Sequence, residues 1–209
     1  MNELRQQLIS ALDPLEAASG RARFSDFDLN PDAPRLDRPL RPAAVLIPVV
    51  DHMDGPTLLL TRRSDFLASH TGQIAFPGGR LDPGETVVQA ALREAVEEVG
   101  LSPDHVEPLG LSDAYETVTG FLVTPVVAWV RPGFNLTTDP REVADAFETP
   151  WEFLMDEANH RREFYDAPDG TRRWFWAMPW GERYIWGATA GMLRSLWGRL
   201  HDPAREAVA

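Results

Sequence analysis

The stretch from Gly79 to Leu101 constrains this chain more than any other. Gly79-Arg80-Leu81-Asp82-Pro83-Gly84-Glu85 holds glycines and a proline at a spacing that forbids regular structure, so it is read as a loop. Thr86 is placed to cap a helix, and Gln89, three positions on, completes a capping box. The helix is expected to run to about Val99, where Gly100 stops it. At 100° per residue, Val88, Leu92, Ala95 and Val99 share a face and are expected to meet the core. Glu94 and Glu98 lie one turn apart with Glu97 beside them, all three on the side away from that stripe. Like charges at this spacing destabilise a helix, and a cation there would remove the penalty. Hard divalent cations prefer carboxylate oxygens, and Mg²⁺ combines a few of them with substrate phosphates. Arg93 can pair with Glu97 one turn on, or reach back to Glu85 and hold the loop against the helix. The competing reading of three such acids is a solvated acidic face.

Other elements alternate around this one. Residues 3–18 read as a short amphipathic helix, with Leu4, Leu8, Leu12 and Leu15 on one side. Residues 30–42 hold Pro31, Pro34, Pro39 and Pro42 and read as an extended arm, not a packed element. Strands are expected at Ala43–Val50, Thr57–Arg62, Val106–Tyr115 and Leu122–Val130, with Asp54-Gly55-Pro56 as a turn. A short helix is expected around Pro150, within Val143–Leu154. Arg161–Asp166 and Arg172–Met178 flank the hairpin signal Pro168-Asp169-Gly170. Gly187–Leu200 reads as a closing helix, with Met192, Leu193, Leu196 and Leu200 at helical spacing. Interleaved strands and helices give an α/β or α+β class. The expected division is an N-terminal helix and Pro-rich arm over 1–42, a catalytic domain over 43–200 and a tail over 201–209.

Composition narrows the function classes. The chain of 209 residues is 44% hydrophobic, enough for one sizeable core. It has no cysteine, which excludes disulfides and thiolate metal sites. A net charge of −12 repels nucleic acid phosphates, and every basic residue is Arg. No apolar run reaches membrane-spanning length, Met1 to Pro14 lacks a signal-peptide core, and Ala207-Val208-Ala209 is not a peroxisomal address. A cytoplasmic enzyme with a small-molecule substrate fits all of this, with no nucleic acid and no membrane as partner.

Gly79–Leu101 resembles the Nudix box, G-x5-E-x7-R-E-U-x-E-E-x-G-U with U apolar. Gly79, Glu85, Arg93, Glu94, Glu97, Glu98, Gly100 and Leu101 match, and Ala95 fills the other apolar position as a small residue. The resemblance implies an α/β/α sandwich with a mixed sheet and a loop–helix–loop catalytic box. It also implies hydrolysis of a nucleoside diphosphate linked to another group. By position, Glu94 and Glu98 look like the principal ligands of Mg²⁺ or Mn²⁺, with Glu97 assisting and the Gly78 carbonyl as a further ligand. Arg93, Glu97 and Glu98 carry the catalytic positions, while Gly79, Glu85 and Gly100 shape the box. A general base comes from this cluster or from a later loop, where Glu142 is the candidate; its competing reading is a surface acid beginning a helix.

A second pattern lies upstream. Leu59, Leu60, Thr61, Arg63, Ser64, Gly72, Phe76, Pro77, Gly78 and Gly79 match in register the signature L-L-T-x-R-S/A-x3-R-x3-G-x3-F-P-G-G of the coenzyme A diphosphatase branch. Ala68 stands where that signature has Arg, which removes one potential anion contact. Val118-Thr119-Gly120, Val123-Thr124-Pro125-Val126-Val127, Ile185-Trp186-Gly187 and Thr189-Ala190 also resemble this branch. The resemblance implies cleavage of coenzyme A to 4′-phosphopantetheine and adenosine 3′,5′-bisphosphate. The other readings are the same chemistry on ADP-ribose, a nucleotide sugar or a nucleoside triphosphate, and a nonhydrolytic nucleotide-binding module. A substrate so anionic needs cationic donors. Arg63 is the best matched, with Arg62 and Arg80 near it, although strand alternation sends Arg62 and Arg63 to opposite faces. A structural ion pair with a box carboxylate is the competing reading of Arg63. His70 is assigned no role. The aromatic cluster of Trp174, Phe175, Trp176, Trp180, Tyr184 and Trp186 suits a core or homodimer interface better than a stack on adenine or a pantetheine channel.

Overall fold

Two ten-residue apolar strands form the spine of the molecule: β2 (Arg41–Val50) and β8 (Phe121–Val130), paired parallel along their whole length. A computed structural model describes residues 3–17, 22–64 and 72–201. Both strands are apolar on both faces because both faces are covered. Ala43, Ile47 and Val49 enter one hydrophobic cluster while Ala44, Leu46 and Val50 enter the other, the period of two that a pleated strand requires. The rest of the main sheet is built from β1 (Phe24–Ser25), β3 (Thr57–Arg63), β4 (Ile74–Ala75), β5 (Gly78–Arg80), β6 (Val106–Leu111), β7 (Tyr115–Glu116) and β9 (Val143–Pro150). Its path runs β1-β7-β8-β2-β3-β4, with β5 on β2, β6 on β8 and β9 on β3. Parallel and antiparallel pairs coexist, so the sheet is mixed, as expected.

Helix α2 (Val87–Val99) covers one face. On the other face lie α1 (Glu3–Ala11), α3 (Trp151–Met155) and α4 (Ala188–Leu200). A second, three-stranded sheet joins β10 (Arg161–Asp166), β11 (Arg172–Trp180) and β12 (Arg183–Trp186). Met192, Leu193, Leu196 and Leu200 of α4 are all buried, as their spacing predicts. No helix among the described residues is long and apolar enough to cross a membrane.

The structure corrects several expectations. Residues 143–154 are a strand followed by a helix that begins at Trp151; Val143–Pro150 pairs antiparallel with β3, and Pro150 sits at the strand's end as the helix N-cap. The N-terminal helix stops at Ala11, after which Asp13 bridges to Leu111. Residues 31–40 form no helix or strand and are mostly exposed, as the prolines predict, whereas the chain before them is packed: Leu8 is fully buried, Phe27 is buried, and β1 adds to the sheet beside β7. Proline count alone signals absence of a helix, and it says nothing about docking through apolar side chains. The sheet begins at Arg41, two residues before the expected boundary. Ala68 and His70, and the tail beyond His201, lie outside the described residues.

Candidate active site

The loop before α2 closes as its spacing predicts. Thr86 Oγ1 accepts from Gln89 N at 3.2 Å while Gln89 Oε1 accepts from Thr86 N at 2.9 Å, and Gly100 ends the helix at φ 68°. Arg93 makes both contacts expected of it. Its Nε donates to Glu85 Oε1 at 2.9 Å and its Nη2 to Glu85 Oε2 at 3.1 Å, a bidentate clamp. Its Nη1 donates to Glu94 Oε1 at 2.9 Å and Glu97 Oε2 at 3.0 Å, and Nη2 also reaches the Arg80 carbonyl at 3.0 Å. One guanidinium thus fixes the loop, the strand before it and two box carboxylates. It holds the Glu85 carboxyl below its ordinary pKa, and Glu85 in turn pushes that of Arg93 up.

The three acids on α2 differ. The Glu97 side chain is 59% exposed, that of Glu94 only 14%. Glu98 is 4% exposed and faces the sheet with Val87, Ala90, Ala91, Ala95 and Val99, contrary to the expected common outer face. The core face is centred on the alanines, which let the helix approach β2, and Val88 and Leu92 lie at its margin. Burial pushes the Glu98 carboxyl up to about 8, and the charges of Glu94 and Glu142 add to this. Burial likewise raises Glu94. Among the described residues, Glu98 receives one hydrogen bond, a long 3.4 Å contact from Gly78 N. A buried acid beside a second acid, with so little donor support, is a site short of positive charge.

The glycines make this approach physical. A β-carbon at Gly78 would come within 2.5 Å of the Ala44 carbonyl oxygen, and one at Gly79 would collide with the Glu94 carboxylate. Both are therefore needed to seat β5 on β2 beneath the acids.

Glu142 comes to the same place. Asp139 N donates to the Glu98 carbonyl at 3.0 Å and Glu142 N to the Asp139 carbonyl at 3.0 Å, so the later loop hangs from the last turn of α2. Ser64 fastens it to β3: its N donates to the Glu142 carbonyl at 2.8 Å and its Oγ to the Pro140 carbonyl at 3.1 Å. The Glu142 charge raises both Glu94 and Glu98. Ser64 and Asp139 are positioning residues that spacing alone did not reveal.

Arg63 lies opposite, where its charge lowers the pKa of Glu98. Among the described residues its Nε is buried with no hydrogen-bond partner. Its N donates to the Gln73 carbonyl at 2.9 Å. A register shift against β9 falls between Arg62 and Arg63, so simple alternation does not carry across the pair. The exposed Arg80 extends its guanidinium to 5.5 Å from the Phe121 ring.

From Arg63 and Gly78 a cavity of about 660 Å³ runs between the two sheets. Phe76, Phe121, Trp174, Phe175 and Trp186 line it, together with Phe27 and Asn30 of the arm. Part of the aromatic cluster therefore lines a cavity instead of filling a core. Among the described residues, no three carboxylate or imidazole side chains converge closely enough to cage an ion alone. Glu97, turned outward to Arg93, is the acid that stays apart.

The chain is similar to known proteins. The NUDIX domain matches residues 39–168. A Citrobacter koseri protein described as uncharacterized Nudix hydrolase NudL is 45% identical over 159 residues, 75% of this chain and 81% of its own. Its Escherichia coli O7:K1 counterpart is 43% identical over the same shares. A C. elegans Ap4A hydrolase in a binary complex aligns with a TM-score of 0.47 at 20% identity, covering 56% of this chain and 82% of that one. With the domain matched over more than half its length and relatives this similar over three quarters of it, the chain belongs to the Nudix family of hydrolases.

Proposed function

We propose that this Nudix hydrolase cleaves the diphosphate of coenzyme A or its derivatives, releasing 4′-phosphopantetheine and adenosine 3′,5′-bisphosphate. The observation that carries the reading is the cavity itself, which begins at Arg63 and at Gly78, whose N meets Glu98, and continues for the volume of a whole ligand between aromatic walls. Phosphoanhydride hydrolysis with divalent metal ions is the chemistry of the family. The residues here fit such an ion, because Glu98 is buried, short of donors and beside Glu94. Glu94 and Glu98 would hold Mg²⁺ or Mn²⁺, with the Gly78 carbonyl as a further oxygen and Glu97 assisting. When bound, the ion supplies charge neutralisation at the diphosphate and Lewis acidity.

The chain's own groups do the rest. Arg63 donates to a diphosphate oxygen from the cavity wall, and Arg62 and Arg80 add positive charge to the approach. The Glu142 carboxylate takes the proton of the attacking water. The water oxygen joins one phosphorus while the bond from that phosphorus to the bridging oxygen breaks, and the second phosphate leaves with the electron pair. Arg93 keeps Glu94 and Glu97 in place and holds the Glu85 loop shut.

The test is a panel of coenzyme A, ADP-ribose, a nucleotide sugar and a nucleoside triphosphate, with products weighed after reaction in ¹⁸O-labelled water. Coenzyme A is expected to give the highest kcat/KM, with the label in a single product. A higher kcat/KM on ADP-ribose or the nucleotide sugar would overturn the substrate assignment and leave the chemistry standing.

A further inference from the structure

Much of the cavity wall comes from outside the matched domain. Phe27, Asn30 and Pro34 precede residue 39, and Arg173, Trp174 and Trp186 follow residue 168. Asn30 joins the two segments. Its Nδ2 donates to the Trp174 carbonyl and the Asp26 carbonyl, both at 2.8 Å, and its Oδ1 accepts from Trp174 N at 2.7 Å. The side chain thus imitates a strand neighbour for β11. Asp26 anchors the other side, its carboxylate accepting from Tyr115 Oη at 2.9 Å and Val118 N at 2.8 Å. With the arm held this way, the buried Phe27 lines the cavity with Phe175 and Trp186, whose rings meet at 5.1 Å.

Charge along the wall is ordered too. At the carboxylate end, Arg63 bonds Gln73, and a β-carbon on Gly187 would lie 3.4 Å from the Gln73 side chain. Gly187 N donates to the Trp176 carbonyl at 3.0 Å. Arg173 lies three residues earlier on β11, about 10 Å away at the rise of a strand. Its Nη2 meets the exposed Asp169 Oδ2 at 3.3 Å, a surface contact that an anionic ligand can displace. Arg63 and Arg173 thus both line the cavity, together with Phe27, Phe175 and Trp186.

We infer that the arm and β11 together form a subsite for a planar heteroaromatic ring, and that Arg173 receives a further phosphate on the same moiety. The subsite takes the nucleoside half of the ligand, and Phe27 and Arg173 determine specificity. This deepens the coenzyme A reading, yet it can be tested without turnover.

The experiment is tryptophan fluorescence titration of the full, metal-free chain with adenosine 3′,5′-bisphosphate, AMP and 4′-phosphopantetheine. The bisphosphate is expected to bind at least about tenfold tighter than AMP, the effect of one charge-assisted contact. Arg173→Gln should erase that ratio while leaving AMP affinity within about twofold. Phe27→Leu should weaken both adenine ligands about tenfold, and Phe27→Tyr should restore them, an outcome that mere unfolding of the arm would not produce. A ratio near one in the wild type, a ratio unchanged by Arg173→Gln, or phosphopantetheine binding tighter than AMP would each overturn the inference. Poor turnover of coenzyme A with the fluorescence pattern intact would sink the substrate proposal and spare the subsite.

Discussion

The two ends of the cavity are built in opposite ways. At the carboxylate end the principal residues lie within a few turns of one another: Glu85, Arg93, Glu94, Glu97 and Glu98 belong to one loop and one helix. At the arm end, Asn30 meets Trp174 across 144 residues, and Asp26 meets Val118 across 92. The first end is stiff because one guanidinium closes a network of charge-assisted bonds. The second is held by separate hydrogen bonds of the Asn30 amide and the Asp26 carboxyl, each worth about 1 kcal/mol. On the proposed reading this difference separates chemistry from recognition, and substitutions at the two ends should have separable effects.

The largest effect is expected at the first end. Glu98→Gln should lower kcat by more than about 100-fold, beyond what losing a residue that merely orients a metal ligand costs. Binding of adenosine 3′,5′-bisphosphate should stay within about twofold. A kcat near wild type would show that the buried acid is not part of the chemistry. Next comes the arm: Asn30→Ala removes three hydrogen bonds and should raise KM about tenfold, with kcat within about threefold. Equal losses in kcat would mean that the two ends are coupled and the contrast drawn here is false.

The smallest effect concerns pH. Glu98 is faced by Glu94, Glu142, Arg63 and Gly78 N, and its carboxyl is pushed up to about 8 against an ordinary 4.5. Between those values the folded metal-free protein holds a proton that the unfolded chain releases. Stability from this group is therefore complete below about pH 4.5 and is lost as pH rises through about 8. Thermal melts in chelator should fall by several degrees over that range, at about 2–4 °C for each kcal/mol. Glu98→Gln should flatten the slope; parallel curves for the variant and wild type would refute the assignment.

What was legible in the sequence follows the same division. Thr86 with Gln89, Gly100 and the Arg93–Glu85 clamp are local, so spacing alone indicated them, and the box pattern placed Glu94 and Glu98 together. The facing of Glu98 was misread because Val88 and Leu92 outweigh Ala90 and Ala91 in any apolar count, whereas close packing on β2 favours the smaller residues. The strand at Val143–Pro150 was missed because Asp145 and Glu148 interrupt its apolar signal; its partner β3 is what fixes it. The docking of Asp26 and Asn30 was not legible because their partners are distant in the chain, and no window around Pro31 or Pro34 contains them. Arg173 and Trp174 were visible only as members of a charged or aromatic run.

The Asn30–Trp174 contact also bears on the order in which the molecule can become itself. The arm leaves the ribosome early, but its dock on β11 is made about 140 residues later, long after the box helix and its loop can have closed. Contacts of such sequence separation pay their loop entropy last. A nascent or truncated chain would therefore carry an assembled carboxylate site with an unwalled approach. On the proposed reading, selectivity would be the final property this protein acquires as it folds, and the first it gives up when it loosens.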